Sequence, residues 1–488
     1  MKRAKKLASF LLALVMVFAL ATTAFAADTT ITAPAGSTRT YDVYQIFTGD
    51  LANGVLSNVK WGKNGSGTVG EAVPQETLDA LATVNSLSDT EKLAEISKYV
   101  NLSSEEFGTV SNGSTLAAPT GYYLIKDNGP VGDGESYSLY VVQVVGPTTI
   151  SPKVGTTTSE KKVKDTNDST ADFTTDWQDS ADYDIGDDVP FQLKATIAQD
   201  YANYKVYKMT FHDQESAGLT FKPETVVVKI DGITITSGYE VVTTGLTDGD
   251  TFEVRFADLK PTAAKAGSVI TVEYSATLND QAVLGSAGNP NTMHVTYSNN
   301  PNDDQGGENG KTPDDTVIVF TYKVVANKVT KNPAYVEGGS EPEYIPLKGA
   351  GFTLYKKNNS GKYVAVGSEV KDDEMTTFEW KGLDDGDYKI SETTTPAGYN
   401  TIADIEFTIT AEHEVLSDNP TLTSLTAGDK FTGEVSTGAV SADIENNTGS
   451  TLPETGGMGT TIFYVVGSIL VLGAVVLLVT KKRMGASK

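Results

Sequence analysis

Tyr388-Lys389-Ile390-Ser391-Glu392-Thr393-Thr394-Thr395-Pro396-Ala397-Gly398-Tyr399 contains a strand with an anomaly in it. In a strand, residues two apart share a face. Tyr388, Ile390 and Glu392 therefore share one face, and Lys389, Ser391 and Thr393 the other. The inward, apolar face ends in a carboxylate.

The same break in alternation recurs along the chain. Asp213 continues the register of Met209 and Phe211, and Asn291 aligns with Met293, Val295 and Tyr297. Asn446 aligns with Val440, Ala442 and Ile444. Lys328 continues Ile318, Phe320, Tyr322 and Val324, provided that no bulge intervenes. Taken singly, each is a strand-end residue near solvent. Taken together, a lysine, an asparagine and an acid buried side by side can form an isopeptide bond. Desolvation lowers the lysine pKa and yields a neutral amine nucleophile. The same burial raises the carboxyl pKa, so the acid can hydrogen-bond the asparagine carbonyl and shuttle protons. The fold supplies proximity, and the reaction expels ammonia once.

Around these residues the chain reads mainly as β. Runs rich in Val, Ile, Thr, Tyr and Phe alternate with Gly, Asn and Asp turns, as in Thr40–Phe47, Ser138–Val145, Val189–Ile197, Val269–Thr277 and Val317–Val325. Pro74–Val100 instead has Leu78, Leu81, Ala82, Leu93, Ile96 and Val100 at helical spacing, which predicts one or two helices inside the first domain. The expected fold is a series of immunoglobulin-like β-sandwiches with that helical insertion. The expected division is 27–155, 156–325 and 326–450, between end segments 1–26 and 451–488.

Composition limits the function. The 488 residues include 38 Lys+Arg and 63 Asp+Glu, a net charge of −25 that disfavours nucleic acid as a partner. With no cysteine there is no disulfide, thiolate metal site or cysteine nucleophile. His212, His294 and His413 lack ligand spacing and predict core or surface roles. Asn302–Asp304 and Asp384–Asp387 are oxygen-rich but lack EF-hand spacing, so solvated turns are expected, with no metal or cofactor. No triad or catalytic carboxylate pair marks a glycosidase.

The ends read as export signals. Lys2, Arg3, Lys5 and Lys6 precede an apolar run from Leu7 to Leu20 and Ala24-Phe25-Ala26, a signal peptide cut after Ala26. At the other end, an apolar stretch from Ile462 to Val479 precedes Lys481, Lys482 and Arg483. Before it stands Leu452-Pro453-Glu454-Thr455-Gly456, which resembles the LPxTG sorting signal of Gram-positive surface proteins. That resemblance implies cleavage between Thr455 and Gly456 by a sortase. Removing both ends takes away only basic charge, so the mature chain is more acidic still.

The Tyr388–Tyr399 stretch resembles the pilin E-box, YxLxETxxPxGY, with Ile390 for Leu. Ile345-Pro346-Leu347-Lys348-Gly349-Ala350-Gly351-Phe352-Thr353-Leu354-Tyr355 looks like a strand of a Cna-B-type domain. Phe211-His212-Asp213 through Gly218-Leu219-Thr220-Phe221 is similar to the central domain of backbone pilins. Thr149-Ile150-Ser151-Pro152-Lys153 resembles the pilin motif VYPK, matching strictly only at Pro152-Lys153.

The chain thus resembles a major (backbone) pilin of a sortase-assembled pilus, and the resemblance assigns roles. Lys328 and Asn446 are cross-link partners with Glu392 as promoting acid, and Lys331 is the fallback nucleophile. In the middle domain Asp213 is the acid, Asn291 the partner with Asn299 as alternative, and Lys162 the preferred lysine within Lys161–Asp165. A class C sortase would join Thr455 to Lys153 of the next identical subunit. A housekeeping sortase would attach the fibre to peptidoglycan, with minor tip or base pilins and an unidentified host ligand as further partners. The protein is then no enzyme beyond its single-turnover cross-linking. The competing reading is a singly anchored, matrix-binding adhesin that does not need Lys153.

Overall fold

The computed structural model describes residues 29–52, 55–84, 89–129, 137–144, 146–150, 156–170, 173–246, 248–301, 303–307, 309–449 and 458–485. The chain is mainly β and forms tandem Cna-like sandwiches.

In the middle region, the strand Val269–Leu278 alternates, turning Ile270, Val272, Tyr274, Ala276 and Leu278 inward. It is the third strand of a five-stranded sheet, between Leu219–Ile230 and Asp188–Thr196, with Thr158–Val163 at the edge. The facing sheet runs through Phe252–Phe256, Met209–Glu215, Asn289–Ser298 and Asp315–Phe320. Phe191, Phe211, Phe252, Val272 and Val295 fill the space between the sheets. Burial of such side chains stabilises by roughly 1.5–3 kcal/mol each.

The single strand expected over Val317–Val325 is two strands. Asp315–Phe320 closes the middle sheet, and Tyr322–Lys331 opens the next. The change of sheet falls at Thr321, whose carbonyl accepts from the Gly285 N–H at 3.1 Å and whose hydroxyl donates to the Leu383 carbonyl at 3.2 Å. We therefore propose the division at Thr321 rather than at 325/326. Beyond it, Tyr322–Lys331 pairs in parallel with Ala439–Glu445, opposite a sheet holding Gly351–Lys357, Gly386–Thr394 and Ile405–His413. Tyr322, Phe352, Phe378, Tyr388 and Ile390 form that core.

A charged seam joins the last two regions. The Lys356 ammonium lies 2.5 Å from Asp168, 2.6 Å from Asp184 and 2.5 Å from Asp384. Asp384 has no exposed surface, so its turn is not the solvated loop expected from its composition. Unlike a solvated turn, it is held by Lys356 and the Tyr388 hydroxyl. His212 and His294, distant in sequence, are opposed in register and stack at 4.5 Å.

The first region pairs Val55–Trp61, Thr40–Ala52, Gly121–Asp127 and Leu139–Val144 in one sheet. The expected insertion is two helices, α1 (Gln75–Ala82) directly after Pro74 and α2 (Asp89–Ser97). Pro at a helix start costs no hydrogen bond, because that N–H has no intrahelical partner. Ile96, Val84, Trp61 and Phe47 share a core cluster beneath the helices. The buried cation here is Arg39, 2.5 Å from Asp127. The last helix, α3 (Met458–Gly485), contains a span from Tyr464 to Lys482 long and apolar enough to cross a membrane.

Candidate cross-linking sites

Lys328 is on the strand Tyr322–Lys331, whose inward positions alternate through Tyr322, Val324, Ala326 and Lys328. The parallel register sets Lys328 opposite Ile444, and Asn446 follows two residues later on the same face. Glu392 reaches across from the facing sheet. Lys328 and Asn446 have no exposed surface, and Glu392 is buried. The Lys328 amine donates to the Asn446 Oδ1 and, at 3.0 Å, to the Ile444 carbonyl. The Asn446 Nδ2 donates to Glu392 Oε2 at 3.2 Å, and Glu392 Oε1 is 3.4 Å from the Lys328 amine. One carboxylate thus spans both reaction partners. Burial holds the Lys328 pKa below its ordinary value, and the nearby Glu392 opposes that shift. A depressed lysine is a better nucleophile near neutral pH.

The middle cluster is built differently. The Thr158–Val163 strand pairs antiparallel with Asp188–Thr196, which turns Lys161 and Val163 inward. Lys161, not Lys162, is the buried lysine. Its amine donates to Asp213 Oδ2 and, at 3.1 Å, to the Tyr274 hydroxyl. Lys162 faces the other way and pairs with Asp179 at 2.5 Å and Glu160 at 3.2 Å. The preference for Lys162 is therefore corrected by strand parity. Asp213 and Asn291 are fully buried, and the Asn291 Nδ2 donates to the Tyr274 hydroxyl at 2.8 Å. Burial lowers the Lys161 pKa and raises that of Asp213, each shift opposed by its partner.

Two groups here escaped the sequence reading. Tyr274 sits in an otherwise apolar register, and its hydroxyl was the available signal. Glu215 is directly opposite Asn291 in the ladder, with both carboxylate oxygens buried. Burial, reinforced by Asp213, raises its pKa to about 8.

The fallback residues lie elsewhere. Lys331 is exposed and 4.0 Å from Glu343. Asn299 is past the far end of the Asn289–Ser298 strand, where its carbonyl accepts from the Tyr137 N–H at 2.7 Å. Lys153, the segment Leu452-Pro453-Glu454-Thr455-Gly456 and the signal peptide lie outside the described residues.

Known proteins share these parts. Residues 185–301 match the Gram-positive pilin backbone subunit 2, Cna-B-like domain. Residues 444–484 match the LPXTG cell wall anchor motif. This chain carries a backbone-pilin domain and a cell-wall anchor. Its residues 341–421 also match a SpaA prealbumin-like fold domain, which covers the Glu392 strand. The trypsin-resistant surface T6 protein of Streptococcus pyogenes serotype M6 is 25% identical over 273 residues. That match takes in 43% of this chain and about half of the relative, 48%. The solved T6 backbone pilin of serotype M6 Streptococcus pyogenes, described as a modular three-domain structure, is 20% identical with a TM-score of 0.51. It covers 86% of this chain and 98% of its own, and shares the fold. The anchor match and α3 fit a cell-wall-anchored surface pilus protein.

Proposed function

We propose that this chain is the repeating subunit of a covalent pilus, joined head to tail by a class C sortase through Thr455 and Lys153. The fibre would be held at its base on peptidoglycan by a housekeeping sortase. A head-to-tail contact of this kind does not close on itself and so extends indefinitely. Within each subunit, Lys328 would join Asn446 and Lys161 would join Asn291. In each reaction the lysine Nζ attacks the asparagine Cγ, a new C–N bond forms and the Cγ–Nδ2 bond breaks. A lysine proton passes to the departing nitrogen, which leaves as ammonia. Glu392 in one site and Asp213 in the other carry that proton.

The observation that carries the reading is the Lys328–Glu392–Asn446 contact set in a chain that also matches the anchor motif. It supplies a buried amine, an amide and a bridging acid on strands packed against one another. The test is tandem mass spectrometry of fibres extracted from cell walls. A peptide joining Thr455 to Lys153 is expected, and Lys153→Ala should abolish the high-mass ladder on denaturing gels. A ladder that survives Lys153→Ala would remove Lys153 as the acceptor, and a wild-type chain that forms no ladder would leave a singly anchored adhesin.

A further inference from the structure

The two buried clusters solve one geometric problem with different parts. In the C-terminal site the Glu392 carboxylate reaches both the Lys328 amine and the Asn446 amide. In the middle site the acid is Asp213, one methylene shorter. Among the described residues, the side chain that touches both the lysine and the asparagine there is Tyr274. Its hydroxyl accepts from the Lys161 amine at 3.1 Å, accepts from the Asn291 amide at 2.8 Å and donates to Asp213 Oδ2 at 3.0 Å. A phenol has one proton to donate and two lone pairs, so all its capacity is spent on the three groups of the cluster. The C-terminal site offers a contrast, because the ring nearest the Lys328 amine there is Phe352, at 5.5 Å, which has no hydroxyl.

Resting on the Lys161–Asn291 cross-link proposed above, we propose that Tyr274 is a catalytic residue of that reaction, relaying the proton between Lys161, Asp213 and the departing Asn291 nitrogen. Asp213 takes the proton released by the attacking amine. Tyr274 gives its own proton to Nδ2 and regains one from Asp213. The Cγ–Nδ2 bond breaks, ammonia leaves, and both Tyr274 and Asp213 end as they began. The hydrogen bond from Nδ2 also fixes which end of the Asn291 amide faces the relay. Its Oδ1 is left buried without a partner, as is Asp213 Oδ1.

The ring is also held by packing. Phe191 stacks on it at 5.4 Å and Phe252 meets it edge-on at 4.8 Å. Tyr274→Phe therefore removes one oxygen and keeps the packing. The experiment uses the full chain, digested after expression. The readout is the fraction of the Lys161 peptide joined to the Asn291 peptide, followed over time at 37 °C, with folding checked by circular dichroism. Lys161→Ala sets the zero. Tyr274→Phe should form the link roughly a hundredfold more slowly, the usual scale for a proton-transfer group. Tyr207→Phe removes another buried hydroxyl of the same core, one bonded to Thr157 and not to the cluster, so it should link at the wild-type rate. Adding Asp213→Glu to Tyr274→Phe should restore linking, since the longer acid can reach both partners as Glu392 does.

Three results would overturn the proposal. One is linking by Tyr274→Phe at the wild-type rate. Another is equal slowing by Tyr207→Phe. The third is a misfolded Tyr274→Phe chain that Asp213→Glu does not rescue, which would assign the hydroxyl to stability alone. A wild-type chain with no Lys161–Asn291 peptide is a different result, because it removes the cross-link itself.

Discussion

Lys161 and Lys162 are adjacent in the chain and opposite in environment. The Lys161 amine is sealed between Asp213 and Tyr274, whereas the Lys162 amine meets Asp179 at 2.5 Å on the outer face. Alanine at the two positions should therefore give unlike results. Lys161→Ala should abolish the middle cross-link and with it a loop-closure contribution of roughly 4–5 kcal/mol. Lys162→Ala should keep the link and cost at most about 1 kcal/mol, the scale of a partly solvated pair. Peptide mass mapping with urea denaturation separates them, and a link that survives Lys161→Ala would refute the assignment.

Glu392→Gln should stop the Lys328–Asn446 link while leaving the Lys161–Asn291 link intact, because the two clusters have separate acids. The partners are 118 residues apart, so losing the link should cost roughly 4–5 kcal/mol by loop-closure entropy. Calorimetry should show the C-terminal transition fall and the middle one stay. A common shift of both transitions would argue against independent sites.

Stability should depend on pH through Glu215. Its folded pKa is about 8 against an ordinary 4.5, so between these values the folded chain keeps a proton that the unfolded chain releases. The sign follows directly: this contribution is complete below pH 4.5 and is lost as pH rises towards 8. The slope should reach up to about 1.4 kcal/mol per pH unit. Glu215→Gln should flatten it, as read by urea midpoints across that range, and an unchanged slope would count against the assignment.

In the first region, the buried cation is an arginine. A guanidinium stays protonated in proteins, so Arg39 is no nucleophile towards its neighbours. This region should melt first and lose protease resistance first. Asp127→Asn should lower that transition further, by breaking the buried Arg39–Asp127 pair. Retention of the last transition by the first region would contradict this.

Much of the C-terminal site was readable because its strands keep strict parity. Lys328, Glu392 and Asn446 each continue an apolar series, and the parallel pairing with the last strand runs without a register shift from Lys323 to Val329. The Val317–Val325 stretch misled because the apolar series Ile318, Phe320, Tyr322 and Val324 runs straight past Thr321, and only the tertiary fold shows that the chain changes sheets there. The middle lysine was within reach. Val163 is buried and shares parity with Lys161, but three lysines in four residues blur which face is apolar. Tyr274 read as core, which it is, and its hydroxyl gains meaning only beside residues far away in sequence. The Lys356 seam was invisible for the same reason, since its acids come from both sides of Thr321.

The change of sheet at Thr321 also defines a route for mechanical load. In the proposed fibre, pulling force enters a subunit at Lys153 and leaves at Thr455. With both links closed it runs from 153 to Lys161, crosses to Asn291, passes through Thr321 to Lys328, crosses to Asn446 and exits. Residues 162–290 and 329–445 then sit in parallel with the load, like fittings hung on a cable. The first region, ahead of Lys153, is outside the circuit altogether. A domain with a buried Arg39–Asp127 pair is tolerable there, because its unfolding would neither lengthen nor weaken the strand that bears tension.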